Sequence, residues 1–205
     1  MTARRFDGPR LLVATHNRGK AGEIRALLAP VGIEIVSAAD LGLPAPPETG
    51  TTFEENATIK ALAATRASGL PALADDSGLS VAALGGAPGL YTADWEGPTR
   101  DPMVGMRRIH DELAARSVPD TDTARAATFH CVLALAWPDE HLELVHATLE
   151  GRFVWPPRGK GGHGYDPCFQ PKGYARTTAE LGDAEKNEIS HRGRAFRLLV
   201  EACFR

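Results

Sequence analysis

No stretch of about 18 apolar residues occurs anywhere in the 205-residue chain, which excludes a membrane-spanning helix. Cysteine is scarce. Cys131, Cys168 and Cys203 form neither a CxxC pair nor an even framework, a pattern that fits a reducing compartment. HExxH is missing as well, so no motif supports a zinc site. The opening segment MTARRFDGPR contains no apolar core of the secretory kind, and the expected location is the cytoplasm. A basic excess is also lacking. The formal net charge is -3, which argues against a general nucleic-acid binder with its basic footprint. Aromatics are not interleaved with basic residues, as a single-strand platform requires.

What is present is unevenly distributed. Residues 151–205 hold 10 Lys and Arg against 6 Asp and Glu, whereas residues 1–150 hold 13 against 20. Such a split separates a part suited to phosphate from a part suited to a metal ion; scattered solvated charge gives the same tally. Periodicity predicts a buried strand over 10–15 and a helix over 19–31 with Ile24, Leu27, Leu28 and Val31 on one face. A second strand is expected at 33–37. Three prolines and two glycines make 41–50 a loop. The segment TTFEENATIKALAATRASG carries a capping pattern at Thr51/Thr52 and Glu54/Glu55 and ends on Gly69. A short strand then leads into Asp75-Asp76-Ser77-Gly78. A helix is predicted over 102–116 with Met106, Ile109 and Leu113 inward, and a long hairpin over 125–137 and 142–155. The last helix is expected from near Ser190 to Phe204. Strands and helices in mixed order, without an internal repeat, indicate an α/β chain of mixed α+β character built on a mixed β-sheet.

Four stretches carry candidate chemistry. In RLLVATHNRGKAGEIRALL a hydroxyl, an amide, a glycine and a lysine stand at the joint between strand and helix. Gly19 permits close backbone approach, and the first helical turn presents N–H groups to an anion. Lys20 adds a positive charge. The sequence is not a P-loop, because Ala21 follows the lysine where Ser or Thr is required. Strand–glycine–helix joints also occur with a purely structural role. Glu48, in the proline-rich loop, and Asp76 together supply the one or two carboxylates that magnesium takes when phosphates and waters complete its shell. Asp-Asp-Ser-Gly is equally good turn chemistry, and adjacent strand residues point to opposite faces. The loop GKGGHGYDPCFQPKGY brings His163, Tyr165 and Asp166 into irregular backbone, the usual setting of functional side chains. Tyr165 there reads equally as a core anchor, and Asp166 as a turn cap. Finally, EKNEISHRG places His191 and Arg192 in a helix's first turn, a cationic placement that an acceptor ligand would compensate.

The chain is similar to the inosine/xanthosine triphosphate pyrophosphatase family. The matching blocks are ATHNRGK (14–20), ETGTTFEENATIKA (48–61), LADDSGLSVAALGGAPGLYTA (73–93), GHGYDPCFQPKGY (162–174) and EKNEISHRGRAF (185–196), in the family's order and spacing. The resemblance implies one elongated domain over 1–205, with two lobes around a central substrate cleft, usually paired as a homodimer. It implies magnesium-dependent hydrolysis of non-standard purine nucleoside triphosphates (ITP, dITP, XTP) to monophosphate and pyrophosphate. Carried over position by position, Thr15, His16, Asn17, Arg18, Gly19 and Lys20 would hold the triphosphate, with Lys60 facing the phosphates. Asp76 would ligate Mg2+ and accept the proton of the attacking water, with Glu48 as second ligand. Ser77, His163, Gly164, Tyr165, Asp166, Lys186, His191 and Arg192 would contact the substrate. Three positions depart from the pattern. His16 replaces a glycine, His163 replaces an aromatic expected to stack on the base, and Asp94-Trp95 stands where Arg followed by an aromatic is common.

Overall fold

A computed structural model describes residues 3–15, 22, 24–26 and 28–204 of the chain. Its strands are β1 (Arg10–Val13), β2 (Glu34–Ser37), β3 (Ala72–Val81), β4 (Pro88–Gly89), β5 (Ala126–Ala136), β6 (Leu142–Phe153) and β7 (Phe169–Pro171). They form a seven-stranded sheet in the order β2-β1-β3-β5-β6-β7, with β4 on β3. The sheet is mixed, as expected: β1 runs parallel to β2 and β3, while β6 and β7 are antiparallel. The longer helices are α1 (Phe53–Ser68), α2 (Pro102–Ala115), α3 (Asp183–Ile189) and α4 (His191–Cys203). No helix among the described residues is long and apolar enough to cross a membrane.

The chain divides into two compact units, one made of 1–76, 131–147 and 193–205, the other of 77–130 and 148–192. In the first, Leu11, Val13, Leu73, Leu133, Leu135, Phe196 and Leu199 build the main core. Ile24 and Leu28 join it; the helix expected at 19–31 is seen at residues 22, 24–26 and 28 and gives way to a 3-10 turn over Ala29–Val31. A second cluster is made almost wholly of small residues: Ala57 and Ala61 of α1 lie against Ala74, Val132, Ala134 and Ala136. Small side chains let α1 come close to the sheet, which shortens the reach from its polar residues to β3. In the second unit, Leu79, Val81, Ile109, Leu113, Phe129, Phe153 and Phe169 are buried together.

Capping chemistry fixes where the helices start. Thr52 at the N-cap of α1 accepts from the Glu55 N–H at 3.1 Å, and Glu55 reaches back to the Thr51 N–H and hydroxyl. Glu54 and Glu55 in the first turn and Arg66 in the last suit the helix dipole. Asp101 caps α2 by accepting from the Met103 N–H, and Pro102 supplies a first position that needs no donor. The strongest departure from expectation concerns Asp75-Asp76-Ser77-Gly78. These residues do not turn; β3 runs straight through them. Apolar residues on both sides, Leu73 and Ala74 before and Leu79 and Val81 after, are buried and carry the strand across its polar middle.

The hairpin at Pro138-Asp139-Glu140 forms as expected, with Glu140 at φ 65° and its N–H on the Trp137 carbonyl. Helix α3 was not foreseen. Gly182 precedes it, Asp183 and Glu185 occupy its first turn, and it ends where Ser190 turns extended, with its N–H on the Lys186 carbonyl. Ser190 therefore stands between two helices, directly before α4, where the last helix was expected to begin.

Candidate active site

In the first unit, polar groups gather where β1 ends beside the first residues of β3. The two strands are in register at Val13↔Leu73, so two residues further along stand Thr15 and Asp75. The space beyond the carboxyl ends of parallel strands is where α/β sheets place ligands. Thr15, Asp75 and Asp76 are 8%, 4% and 8% exposed, a depth at which acidic groups are kept only with partners. For Asp76 the partner is Lys60 from α1, whose Nζ lies 2.7 Å from Oδ1. The same ammonium is 3.4 Å from Glu48 Oε1. Glu48 sits on an exposed loop that is tied to α1 by the Gly50 N–H donating to Asn56 Oδ1 at 2.8 Å. Burial works to lower the pKa of Lys60, but the carboxylates of Asp76, Asp75 and Glu48 outweigh it and hold the ammonium above the ordinary lysine value.

Two carboxylates from different segments thus converge on one cation. That arrangement fits a hard divalent ion: Glu48 and Asp76 are the oxygen donors magnesium accepts, and it needs few from the protein. No group of three or more His, Cys, Asp or Glu poised for a metal occurs among the described residues, so a metal that demands a full protein cage has no site there. The remaining residues assigned to the triphosphate, His16, Asn17, Arg18, Gly19 and Lys20, lie outside the described residues.

The second unit holds a separate polar cluster. Asp166 is 3% exposed and its carboxylate is saturated. Oδ2 accepts from the His163 N–H at 2.6 Å and from Lys186 Nζ at 2.7 Å, and Oδ1 accepts from the Thr178 hydroxyl at 2.8 Å. Gly162 makes this possible. It adopts φ +73°, and a Cβ there would lie 2.2 Å from Asp166 Oδ2. Tyr165 also faces inward. Its hydroxyl donates to the Thr92 carbonyl at 2.8 Å, and burial raises its pKa well above the ordinary phenol range. The ring packs so close to α2 that a Cβ on Gly105 would fall 1.8 Å from the hydroxyl oxygen.

Tyr165 and Asp166 therefore hold the loop in place, and it is His163, with Gly164 at φ +58°, that the segment presents outward. Lys186 and His191 are mostly buried, Arg192 and Ser77 half-buried. The His191 ring stacks on Phe129, with centroids 4.7 Å apart and planes 14° from parallel. At the third departure, Asp94 is exposed near Arg100, and Trp95 is covered by the Arg108 guanidinium 4.0 Å from its ring centroid. A basic group does stand at this place, delivered by α2 instead of by position 94.

Sequence reasoning missed Thr178, Phe129, Gly105 and Asn56. Thr178 lies inside a readable Thr-x-x-Glu capping box, Thr177 to Glu180. Phe129 and Gly105 left no signal, since only the folded chain brings them to His191 and Tyr165.

Residues 11–202 match the model of the Ham1 family. The chain belongs to the Ham1 family. Over 98% of its length this Ham1 chain is 54% identical to the dITP/XTP pyrophosphatase of Rhizobium meliloti, of which it covers 98%. It is 55% identical to the dITP/XTP pyrophosphatase of Rhodospirillum centenum over the whole of both chains. Among solved structures, a HAM1 protein from Coxiella burnetii superposes with a TM-score of 0.86 at 40% identity, covering 95% of this chain and 98% of that one.

Proposed function

We propose that this Ham1 chain is a dITP/XTP pyrophosphatase, hydrolysing non-standard purine nucleoside triphosphates, ITP among them, to monophosphate and pyrophosphate with Mg2+. The observation that carries the reading is the convergence of Asp76 and Glu48 on one cation, with Asp76 on β3 just past the point where β1 ends. The names of the full-length relatives fit it. Thr15 to Lys20 grip the triphosphate, and a water attacks the α-phosphorus while the α–β bridge breaks. Asp76 takes the proton the water gives up. When bound at Asp76 and Glu48, Mg2+ supplies charge neutralisation for the phosphate oxygens. Lys20 and Lys60 add positive charge where the departing pyrophosphate gains negative charge.

The purine lies against the segment that presents His163 and against the start of α4. A 6-keto base accepts hydrogen bonds from donors of the Ser190–Arg192 region, whereas adenine's amino group sets donor against donor. The enzyme works in the cytoplasm as a homodimer. A panel of dITP, ITP, XTP, GTP and ATP, assayed for pyrophosphate with and without magnesium, tests the substrate class, the product and the metal dependence. Pyrophosphate from dITP and XTP is expected only with the metal. Orthophosphate as first product, or equal turnover of ATP, would overturn the reading.

A further inference from the structure

Among the described residues, two buried or half-buried lysines contact aspartates, and their surroundings differ in a way that assigns them different work. Lys186 meets an aspartate already held by a backbone N–H and a hydroxyl. Lys60 instead lies between two carboxylates, at 2.7 Å from a buried one and 3.4 Å from one whose side chain is half exposed. We propose that the Lys60 ammonium is the resident substitute for the divalent cation at Asp76 and Glu48, and that its eviction couples metal binding to triphosphate binding. The inference rests on the reading of those two residues as the metal pair.

The two cations compete for the same pair of carboxylates. A magnesium ion held by Asp76 and Glu48 at the roughly 2.0–2.1 Å it demands would stand close to the ammonium that both carboxylates now contact, and like charge would repel the ammonium. Lys60 has the means to leave, because its charge sits on a flexible four-carbon stem. Without nucleotide, an arriving metal ion must work against the charge of the ammonium beside it, and metal alone binds weakly. With a triphosphate in place, the displaced ammonium moves onto phosphate oxygens, and the metal takes the carboxylates with phosphates completing its shell. Each ligand then strengthens the other by the same factor. In the empty enzyme the ammonium offsets part of the negative charge that Asp75, Asp76 and Glu48 bring together.

The test uses Mn2+ as probe, followed by calorimetry, on the full chain with and without a triphosphate analogue whose α–β bridge is methylene. Lys60→Gln is expected to bind Mn2+ without nucleotide about tenfold more tightly than wild type, within the roughly 5- to 150-fold that coupling between sites spans. The gain in Mn2+ affinity on adding the analogue should shrink in this variant. Lys60→Arg keeps the charge and should bind Mn2+ as weakly as wild type. A variant merely damaged in structure would lose affinity, not gain it. Melting curves give a second reading, with Mn2+ raising the midpoint of Lys60→Gln more than that of wild type. Should Lys60→Gln bind Mn2+ no better than wild type while Asp76→Asn binds it less, the substitute role is overturned and the metal pair stands. Should Asp76→Asn bind Mn2+ as wild type does, the metal pair itself is wrong and the inference falls with it.

Discussion

Replacing Asp166 by alanine removes the centre of the polar cluster in the second unit. The substitution takes a carboxylate that is 3% exposed away from three donors: the His163 N–H, the Thr178 hydroxyl and the Lys186 ammonium. The hydroxyl has a second acceptor, the Asp166 carbonyl at 3.0 Å, and loses little. The ammonium is the main loser, because its side chain is 11% exposed and gives up the contact at 2.7 Å. Removing one member of a buried pair costs about 3–5 kcal/mol, far more than the net worth of the pair. For a chain of this size each kcal/mol shifts the melting midpoint by about 2–4 °C, so a fall of about 6–20 °C is expected. Asp166→Asn keeps the shape and should fall by less.

The deciding assay is a double-mutant cycle in guanidinium. Lys186→Met removes the charge that Asp166→Ala would strand, so the double variant should recover about 1–3 kcal/mol relative to the sum of the single changes. Additive losses, or a loss below about 1 kcal/mol for Asp166→Ala, would refute the view that this aspartate is a structural tie and return it to the set of substrate contacts.

Asp76→Asn is expected to lower kcat by at least about a hundredfold while leaving the melting midpoint within a few degrees, given what a general base and metal ligand contribute; wild-type turnover would end its assignment. Gly105→Ala, whose Cβ would fall 1.8 Å from the Tyr165 hydroxyl, should destabilise by about 1–3 kcal/mol or more in a denaturant titration, with partial rescue by Tyr165→Phe. Arg192→Ala should lower kcat/KM for ITP far more than for ATP and narrow their ratio; equal losses would mean that Arg192 serves the phosphates or the fold.

The strands, the capped helix α1 and the long hairpin were legible because their signals are local: alternation, a Thr-x-x-Glu cap and a turn at Pro138-Asp139-Glu140. Asp75 to Gly78 misled at that level. Four residues that individually favour a turn are carried through β3 because burial of Leu73, Ala74, Leu79 and Val81 outweighs local propensity. The separation of roles within His163-Gly164-Tyr165-Asp166 was also hidden. Sequence gives the four residues as one block, but which of them face inward depends on Gly105 some sixty positions earlier and on Lys186 and Thr178 later in the chain. The pairing of Glu48 with Asp76 was readable as chemistry; that Lys60 would be the group joining them was not, because it needs α1 seated on the sheet through its alanines.

The two aspartate–lysine contacts show how one pair of residue types serves opposite ends. Around Asp166 every donor is internal to the unit, the ammonium included, and nothing in the contact set calls for a second cation. Around Asp76 the carboxylate is likewise buried, but the ammonium is shared with Glu48, which stands half in solvent at the longer distance. A saturated carboxylate resists exchange, since any newcomer must beat several bonds at once. An ammonium on a flexible stem that is shared between two carboxylates exchanges when a better cation comes with new acceptors for the old one. How the lysine is shared, not how deeply the aspartate is buried, therefore separates the structural tie from the proposed metal site. This yields a rule that the double-mutant cycle and the Mn2+ titrations check independently: coupling to lysine stabilises the fold at Asp166, and opposes metal binding at Asp76.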